Sequence, residues 1–237
     1  MNTPRGLIIA APASGSGKTV LTLGLLRALR NAGHGVTGAK AGPDYIDPAF
    51  HTAASGKPAF NLDPWAMRPD TLAGLVAGSG KSSDILIVEG VMGLFDGVHL
   101  PDRPDAGSTA DLAAMTGWPV VLVVDAAKQA ASVGALMRGF VGHRADVRVA
   151  GVIFNRVASP AHEAVLRAAT NAAAPDVQLL GSVGRNSALT VPERHLGLVQ
   201  AGEHEDLERF IEAAAQAVSD RVDIDALVAL AEPCVIS

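Results

Sequence analysis

A single cysteine in 237 residues, Cys234, has no partner for an internal disulfide, which suits a reducing compartment. Aromatic residues are almost as scarce, at 4%, so a core must be aliphatic, built from Ala, Val, Leu and Ile. There is no long basic run, and 19 Lys+Arg against 24 Asp+Glu give a net charge of −5. That balance argues against nucleic acid or an anionic membrane as the main partner, and an anionic ligand must be drawn in by local groups. No uncharged apolar run reaches the ~18 residues of a membrane helix. The opening "MNTPRGLIIAAPASGSGK" runs from a short apolar segment straight into a glycine-rich turn, where a secretory leader would have a cleavage site. The expectation is a soluble, cytoplasmic protein. Internal repeats and low-complexity linkers are also missing. The hydrophobic share of 49% excludes disorder and supports a sizeable core.

Short apolar runs alternate with helical patterns. "GLIIAAPA" (6–13), "GVTGAKA" (35–41), "ILIVEG" (85–90), "PVVLVVDA" (119–126), "VAGVIFNRV" (149–157) and "VQLLGSV" (177–183) read as strands, several of them apolar on both faces. Leu21, Leu25 and Leu29 recur at helical spacing, as do Val133, Leu136 and Phe140. "PAHEAVLRAATNAA" (160–173) begins with Ser159 as N-cap and Pro160 at the first helical position. The alternation predicts a doubly wound α/β fold with a mostly parallel sheet flanked by helices. Residues 42–68 and 90–108 break the rhythm, being rich in Pro, Gly and Asp. Both follow predicted strands, and ligands of open α/β sheets bind outside the carboxyl ends of strands.

"APASGSGKT" (11–19) joins the first strand to the first helix. Backbone N–H groups of such a loop wrap a polyphosphate at a helix N-terminus. Ser14, Gly15, Ser16 and Gly17 form the cradle, Lys18 reaches the outer phosphates, and Thr19 offers a hydroxyl to Mg²⁺. A helix end carries only about half a positive charge, so Lys18 and a cation are both needed. Pro12 stands where the strict G-x-x-x-x-G-K-[ST] pattern has its first glycine. "ILIVEG" ends in Glu89, where such proteins hold a carboxylate for magnesium. A phosphate-loop protein that binds ATP with Mg²⁺ is expected.

Other features narrow the class. MinD/ParA switch ATPases carry an extra lysine near the front of the loop, and Ala13 occupies that position here. Guanine-reading N-K-x-D is absent; "FNRV" (154–157) lacks its Lys and Asp. Adenine fits better, with Asn155 able to read it through its paired donor and acceptor. A strand-end turn residue would look the same. The segment "KAGPDYIDPAFH" (40–51) sets Asp44 and Asp47 three residues apart on a stiffened turn just past a strand. By itself it reads first as a solvated surface turn.

The motifs "SGSGKT", "KAGPDYIDPAFH", "EGVMGLFDG", "FNRV" and "VPERHLGLV" (191–199), in this order, closely resemble the cobyrinic/hydrogenobyrinic acid a,c-diamide synthases, in a wider group with dethiobiotin synthetase and cobyric acid synthase. The resemblance covers nearly the whole chain. It implies a dethiobiotin synthetase-like phosphate-loop fold and a ligase that uses ATP to amidate two acetate side chains of a corrin. A carboxylate is a poor electrophile. Phosphorylation on oxygen gives an acyl phosphate that ammonia can attack, so the site must neutralise phosphate and carboxylate together. By resemblance, Lys18, Asp44, Asp47 and Glu89 are catalytic, with Asp44 and Glu89 joining Thr19 around Mg²⁺ and Asp47 near the substrate carboxylate or ammonia. Lys40, Tyr45, Leu94, Phe95 and Asp96 border the corrin, and Asn155 and Arg156 lie on the nucleotide.

For Phe95, anchoring a long loop is the competing reading; for Asp47, forming the turn. "VPERHLGLV" is expected to close the nucleotide side. His195 within it, and His51, read as side chains positioned by their neighbours in preference to bases. Arg27 and Arg30 read as solvated. The family's C-terminal glutaminase domain carries a Gly-x-Cys-x-Gly turn, which "EPCVIS" around Cys234 does not match. Residues 1–237 are therefore expected to be the synthetase domain, taking free ammonia and not glutamine, with the glutaminase on a longer or separate chain. A homodimer is compatible with the sequence. Two rivals stand beside the ligase: a dethiobiotin-type carboxylase, for which "GLFDG" has no use, and an ATPase switch that recruits a protein.

Overall fold

The computed structural model describes residues 4–80, 83–185 and 207–236. Its centre is a sheet in which β1 (Arg5–Ala10), β2 (Val36–Ala41), β3 (Phe60–Leu62), β4 (Ile85–Glu89), β7 (Val120–Asp125), β8 (Val149–Val157) and β9 (Gln178–Gly184) run parallel in the order β3-β2-β4-β1-β7-β8-β9. The two-residue β10 (Glu232–Pro233) pairs antiparallel with the start of β1. The strands of a buried parallel sheet present alternate residues to two layers, and the core divides accordingly. Ile8, Leu86, Val88, Leu122 and Val124 join one cluster, while Leu7, Ile9, Ile85, Ile87, Val121 and Val123 join the other.

Helices cover both faces. Leu21, Leu25 and Leu29 of α1 (Lys18–Asn31), Phe50 of α2 (Asp47–Ser55), Ile211 of α7 (Leu207–Ser219) and Leu227 of α8 (Ile224–Leu230) fill the second cluster. Leu72 and Val76 of α3 (Pro69–Ser79), Leu112 of α4 (Thr109–Thr116), Met137 of α5 (Val133–Gly142) and Leu166 of α6 (Pro160–Ala173) fill the first. Ser159 caps α6 as expected, its hydroxyl accepting from His162 N at 3.2 Å. A two-stranded hairpin, β5 (Val98–Leu100) and β6 (Arg103–Ala106), stands apart from the main sheet.

The stretch 42–68, read as loop, contains α2 and the edge strand β3, and 90–108 contains the hairpin. Arg27 also departs from its expected solvated place: it is buried, with 2% of its surface exposed. It is enclosed because α7 lies along α1. Its guanidinium donates to Glu208 at 2.7 Å, to Glu212, and to the carbonyls of Ala53 and Ala54 at 3.0 Å each. Arg30 is exposed. No helix among the described residues is long and apolar enough to cross a membrane. "VPERHLGLV" and His195 lie outside the described residues.

Candidate functional site

The turn after β1 forms a phosphate-loop geometry. Gly15 and Gly17 have φ of +78° and +92°, the left-handed region that glycine enters without a Cβ penalty. Gly17 is the N-cap of α1, and Leu21 N donates to its carbonyl at 3.1 Å. Ser16 Oγ closes the loop on the Ala13 carbonyl at 2.8 Å. A Cβ on Gly17 would overlap the Asn155 side-chain amide, which donates to the Ser16 carbonyl at 2.9 Å. Asn155 Oδ1 accepts from Arg156 N at 2.9 Å, and Arg156, at φ +60°, pairs with Asp125. Asn155 thus braces the loop from β8, and each end of its amide keeps capacity for one further bond.

Sheet register builds the next layer. β2 and β4 pair Lys40 with Glu89, so both side chains leave the sheet on the face covered by α1 and α2. Glu89 is fully buried, and four groups converge on it or its partner. Thr19 Oγ1 donates to Glu89 Oε1 at 2.6 Å and Lys40 Nζ to the same oxygen at 3.0 Å. His51 Nε2 lies 2.7 Å from Oε2. Lys40 also pairs with Asp47, at the start of α2. Lys18 Nζ donates to the carbonyl of Met92 at 2.6 Å, and Met92 holds the strained φ of +48°.

Charge inside this cluster is unequally shared. Burial pushes the Glu89 carboxyl up, but the Lys40 charge and hydrogen bonds from His51 and Thr19 outweigh it and hold the group well below the usual carboxylate range. Burial likewise opposes the Lys40 ammonium, and the charges of Glu89 and Asp47 overcome it, raising the group above its ordinary value. Asp47 is the loser: burial, then the Glu89 charge, lift its carboxyl above the ordinary range against the pull of Lys40. Burial lowers the Lys18 ammonium despite the Glu89 charge.

The expected site residues thus separate into three groups. Lys18, Thr19, Lys40, Asp47 and Glu89 form one connected cluster beside the glycine loop. Asp44 lies at the edge of this cluster, its Oδ1 accepting from Ile46 N at 2.8 Å and Asp47 N at 2.9 Å. That oxygen shapes the entry to α2, leaving Oδ2 without a hydrogen-bond partner among the described residues. Tyr45 stands 97% exposed beside it. Asp96 is exposed, accepts from Gly93 N at 2.8 Å, and is near enough for its charge to act on Lys18. Leu94 and Phe95 lie deeper than their neighbour Asp96. Leu94 has no exposed surface and joins the core, so it anchors its loop and offers a substrate nothing in this conformation. Phe95 is half-buried, stacked on Phe140 at 5.5 Å and against His143 at 4.4 Å between ring centroids.

The reading from sequence did not foresee His51 bonding Glu89. The signal was available: Asp47 and His51 are four apart with Pro48 in the first turn of a helix, a spacing that points both side chains the same way.

Among the described residues no three or more His, Cys, Asp or Glu side chains converge on a cation position. The Glu89 carboxylate, the Thr19 hydroxyl and Oδ2 of Asp44 are the oxygens here that could hold a Mg²⁺, too few for a dedicated all-protein cage.

A parallel sheet, a glycine loop at a helix N-terminus and a carboxylate ending the neighbouring strand define a phosphate-loop nucleotide-binding domain. The chloroplast FtsY of Physcomitrella patens shares this fold, with a TM-score of 0.54 at 15% identity over 89% of this chain and 65% of that one. Residues 7–199 match the family of the CobQ/CobB/MinD/ParA nucleotide binding domain, and the chain belongs to that family. Among curated proteins it is 56% identical over 228 residues to the hydrogenobyrinate a,c-diamide synthase of Rhizobium meliloti, covering 96% of this chain and 52% of that one. The protein of the same name from Brucella anthropi is 54% identical over 224 residues, 94% of this chain and 50% of that one. The chain spans about half the length of the curated relatives it matches.

Proposed function

We propose that the chain catalyses ATP- and Mg²⁺-dependent amidation of the a and c acetate carboxylates of a corrin, through acyl phosphates attacked by ammonia. The names of the relatives favour hydrogenobyrinic acid over cobyrinic acid. The observation that carries the reading is the meeting of two motifs at one carboxylate: Thr19 of the phosphate loop and Lys40 and His51 of "KAGPDYIDPAFH" all bond to Glu89.

The chemistry needs two anions in contact, which Coulomb repulsion opposes. Lys18, released from the Met92 carbonyl, follows the γ-phosphoryl group as its bond to the ADP oxygen breaks and a bond to the substrate carboxylate oxygen forms. Backbone N–H groups of Ser14, Gly15, Ser16 and Gly17 hold the remaining phosphates at the N-terminus of α1. Asn155 and Arg156 border the nucleotide from β8. Thr19, Glu89 and Oδ2 of Asp44 would hold Mg²⁺, which supplies neutralisation of phosphate charge when bound. Lys40, fixed between Glu89 and Asp47, offsets the charge of the entering carboxylate.

In the second step the ammonia lone pair attacks the acyl carbon and phosphate departs with the carbon–oxygen bond. The nitrogen must then lose a proton, and Asp47, whose carboxyl burial raises, would take it. Tyr45 and Asp96, both exposed beside the cluster, are the side chains open to the macrocycle, with Phe95 at the margin of its loop.

The test is ADP release from Mg·ATP and ammonium, with and without hydrogenobyrinic acid, followed by mass spectrometry of the corrin. Corrin-dependent ADP and product masses with OH replaced by NH₂ once and then twice support the reading. Equal hydrolysis without corrin, and an unchanged corrin mass, would overturn it in favour of an ATPase switch.

A further inference from the structure

One polar group in the cluster has no part in that reaction scheme. His51 is fully buried on α2, and its Nδ1 has no hydrogen-bond partner among the described residues. Leaving a buried polar atom unpaired costs about 1–3 kcal/mol, so imidazole is an expensive filler for an aliphatic layer. The fold nonetheless makes room for it. A Cβ on Gly38 of β2 would come within 2.8 Å of His51 Cβ, so the helix approaches the sheet only because that residue is glycine. Ser55 Oγ donates to the His51 carbonyl at 2.8 Å, steadying the same turn of α2.

What the ring does contribute is one bond, from Nε2 to Glu89 Oε2 at 2.7 Å. An ionised carboxylate offers only lone pairs, so Nε2 carries the proton. The last torsion of a glutamate is broad and roughly two-fold, and nothing intrinsic decides which oxygen points where. We infer that His51 is a positioning residue for Glu89, tying Oε2 to α2 so that Oε1, which also accepts from Lys40 at 3.0 Å, is the oxygen turned toward Thr19 and the phosphate loop. Glu89 then offers a cation one oriented oxygen. This rests on the reading of Glu89 as a Mg²⁺ ligand, and outer-shell partners of that kind are worth roughly 10–100-fold in metal affinity.

The test compares His51→Gln, whose amide nitrogen reaches about as far as Nε2, with His51→Leu and His51→Asn, which cannot reach Glu89. Mg²⁺ binding is titrated calorimetrically at fixed ATP, and binding of a fluorescent ATP analogue in EDTA reports the metal-free site. His51→Leu and His51→Asn should raise the half-saturating Mg²⁺ concentration roughly 10–100-fold. Metal-free nucleotide binding should stay within about twofold, and His51→Gln should recover most of the Mg²⁺ response, because only the bond to Glu89 is at issue. Unchanged Mg²⁺ dependence in both truncating variants overturns the inference, as does a His51→Gln protein as impaired as His51→Leu. Should Glu89→Gln leave Mg²⁺ binding intact, the metal reading of Glu89 itself falls, an outcome separate from any result at His51.

Discussion

Lys18 Nζ donates a 2.6 Å hydrogen bond to the carbonyl of Met92, so the cation of the phosphate loop is held by the loop that follows Glu89. Met92 presents that carbonyl from a left-handed backbone, φ +48°, with its side chain 55% exposed. An L-residue there costs roughly 1–2 kcal/mol, which glycine largely avoids at some entropic loss. Met92→Gly should therefore leave stability unchanged or raise it by up to about 1 kcal/mol. Thermal unfolding checks this; a clear loss of stability would mean that the exposed side chain packs on something.

Asp44 combines two tasks that substitutions can separate. Its Oδ1 accepts from Ile46 N and Asp47 N at the start of α2. Asp44→Asn keeps an accepting oxygen and should hold stability within about 0.5 kcal/mol, whereas Asp44→Ala should cost about 1 kcal/mol. If Oδ2 serves the cation, both variants lose Mg²⁺-dependent turnover alike. Denaturant unfolding together with a Mg²⁺ titration of ADP release resolves the two tasks.

Gly17→Ala meets two obstacles, a φ of +92° and the amide of Asn155. The substitution should cost roughly 1–3 kcal/mol and abolish tight nucleotide binding. Adding Asn155→Ala removes the overlap but not the backbone strain. The double variant should therefore recover only part of the stability, measured by thermal unfolding and by titration with a fluorescent nucleotide.

At Arg27 the two sides of an ion pair should respond unequally. The guanidinium is buried and also supplies donors to Ala53 and Ala54, while the Glu208 side chain is 72% exposed. Arg27→Ala should cost about 2–3 kcal/mol, since two carbonyls at the end of α2 lose their donors along with the charge pairs. Glu208→Ala should cost under about 1 kcal/mol, because its own charge is solvated and Glu212 remains. Equal losses in urea unfolding would contradict this asymmetry.

Acid should act through Glu89 and Asp47 with opposite signs. Lys40, His51 and Thr19, against the opposing effect of burial, hold Glu89 below its ordinary value of 4.5. Its contribution to stability is present above that value and is lost as pH falls toward the folded one. Burial and the Glu89 charge raise Asp47 above its ordinary 3.8, so its contribution is present below that value and lost as pH rises. The fall in melting temperature below about pH 4.5 should be shallower in Glu89→Gln than in the parent, and steeper in Asp47→Asn.

Much of the fold could be read from periodicity, because strands buried on both faces are continuous apolar runs. The six runs that stood out became β1, β2, β4, β7, β8 and β9. Three-residue β3 and the Pro-containing β6 are too short to show a period, and α2 begins at Asp47, with Pro48 next, within a stretch rich in turn residues. Arg27 read as solvated because α1 alone has a free side there. The partner that closes over it, Glu208, lies 181 residues away on α7. The cluster around Glu89 was legible as motifs, since spacing names the residues. Its wiring was not. That Lys40 stands beside Glu89 is a fact of strand order, and that His51 reaches Oε2 depends on a glycine in the neighbouring strand.

The reaction order can be followed through one oxygen atom. With hydrogenobyrinic acid carrying ¹⁸O in its acetate carboxylates, Mg·ATP and ammonium, each amide formed should release one phosphate bearing one ¹⁸O, since the carboxylate oxygen leaves on phosphorus. Phosphate free of label alongside amidated corrin would mean that ATP is hydrolysed by water, and that Lys18, Lys40 and Glu89 do not assemble an acyl phosphate.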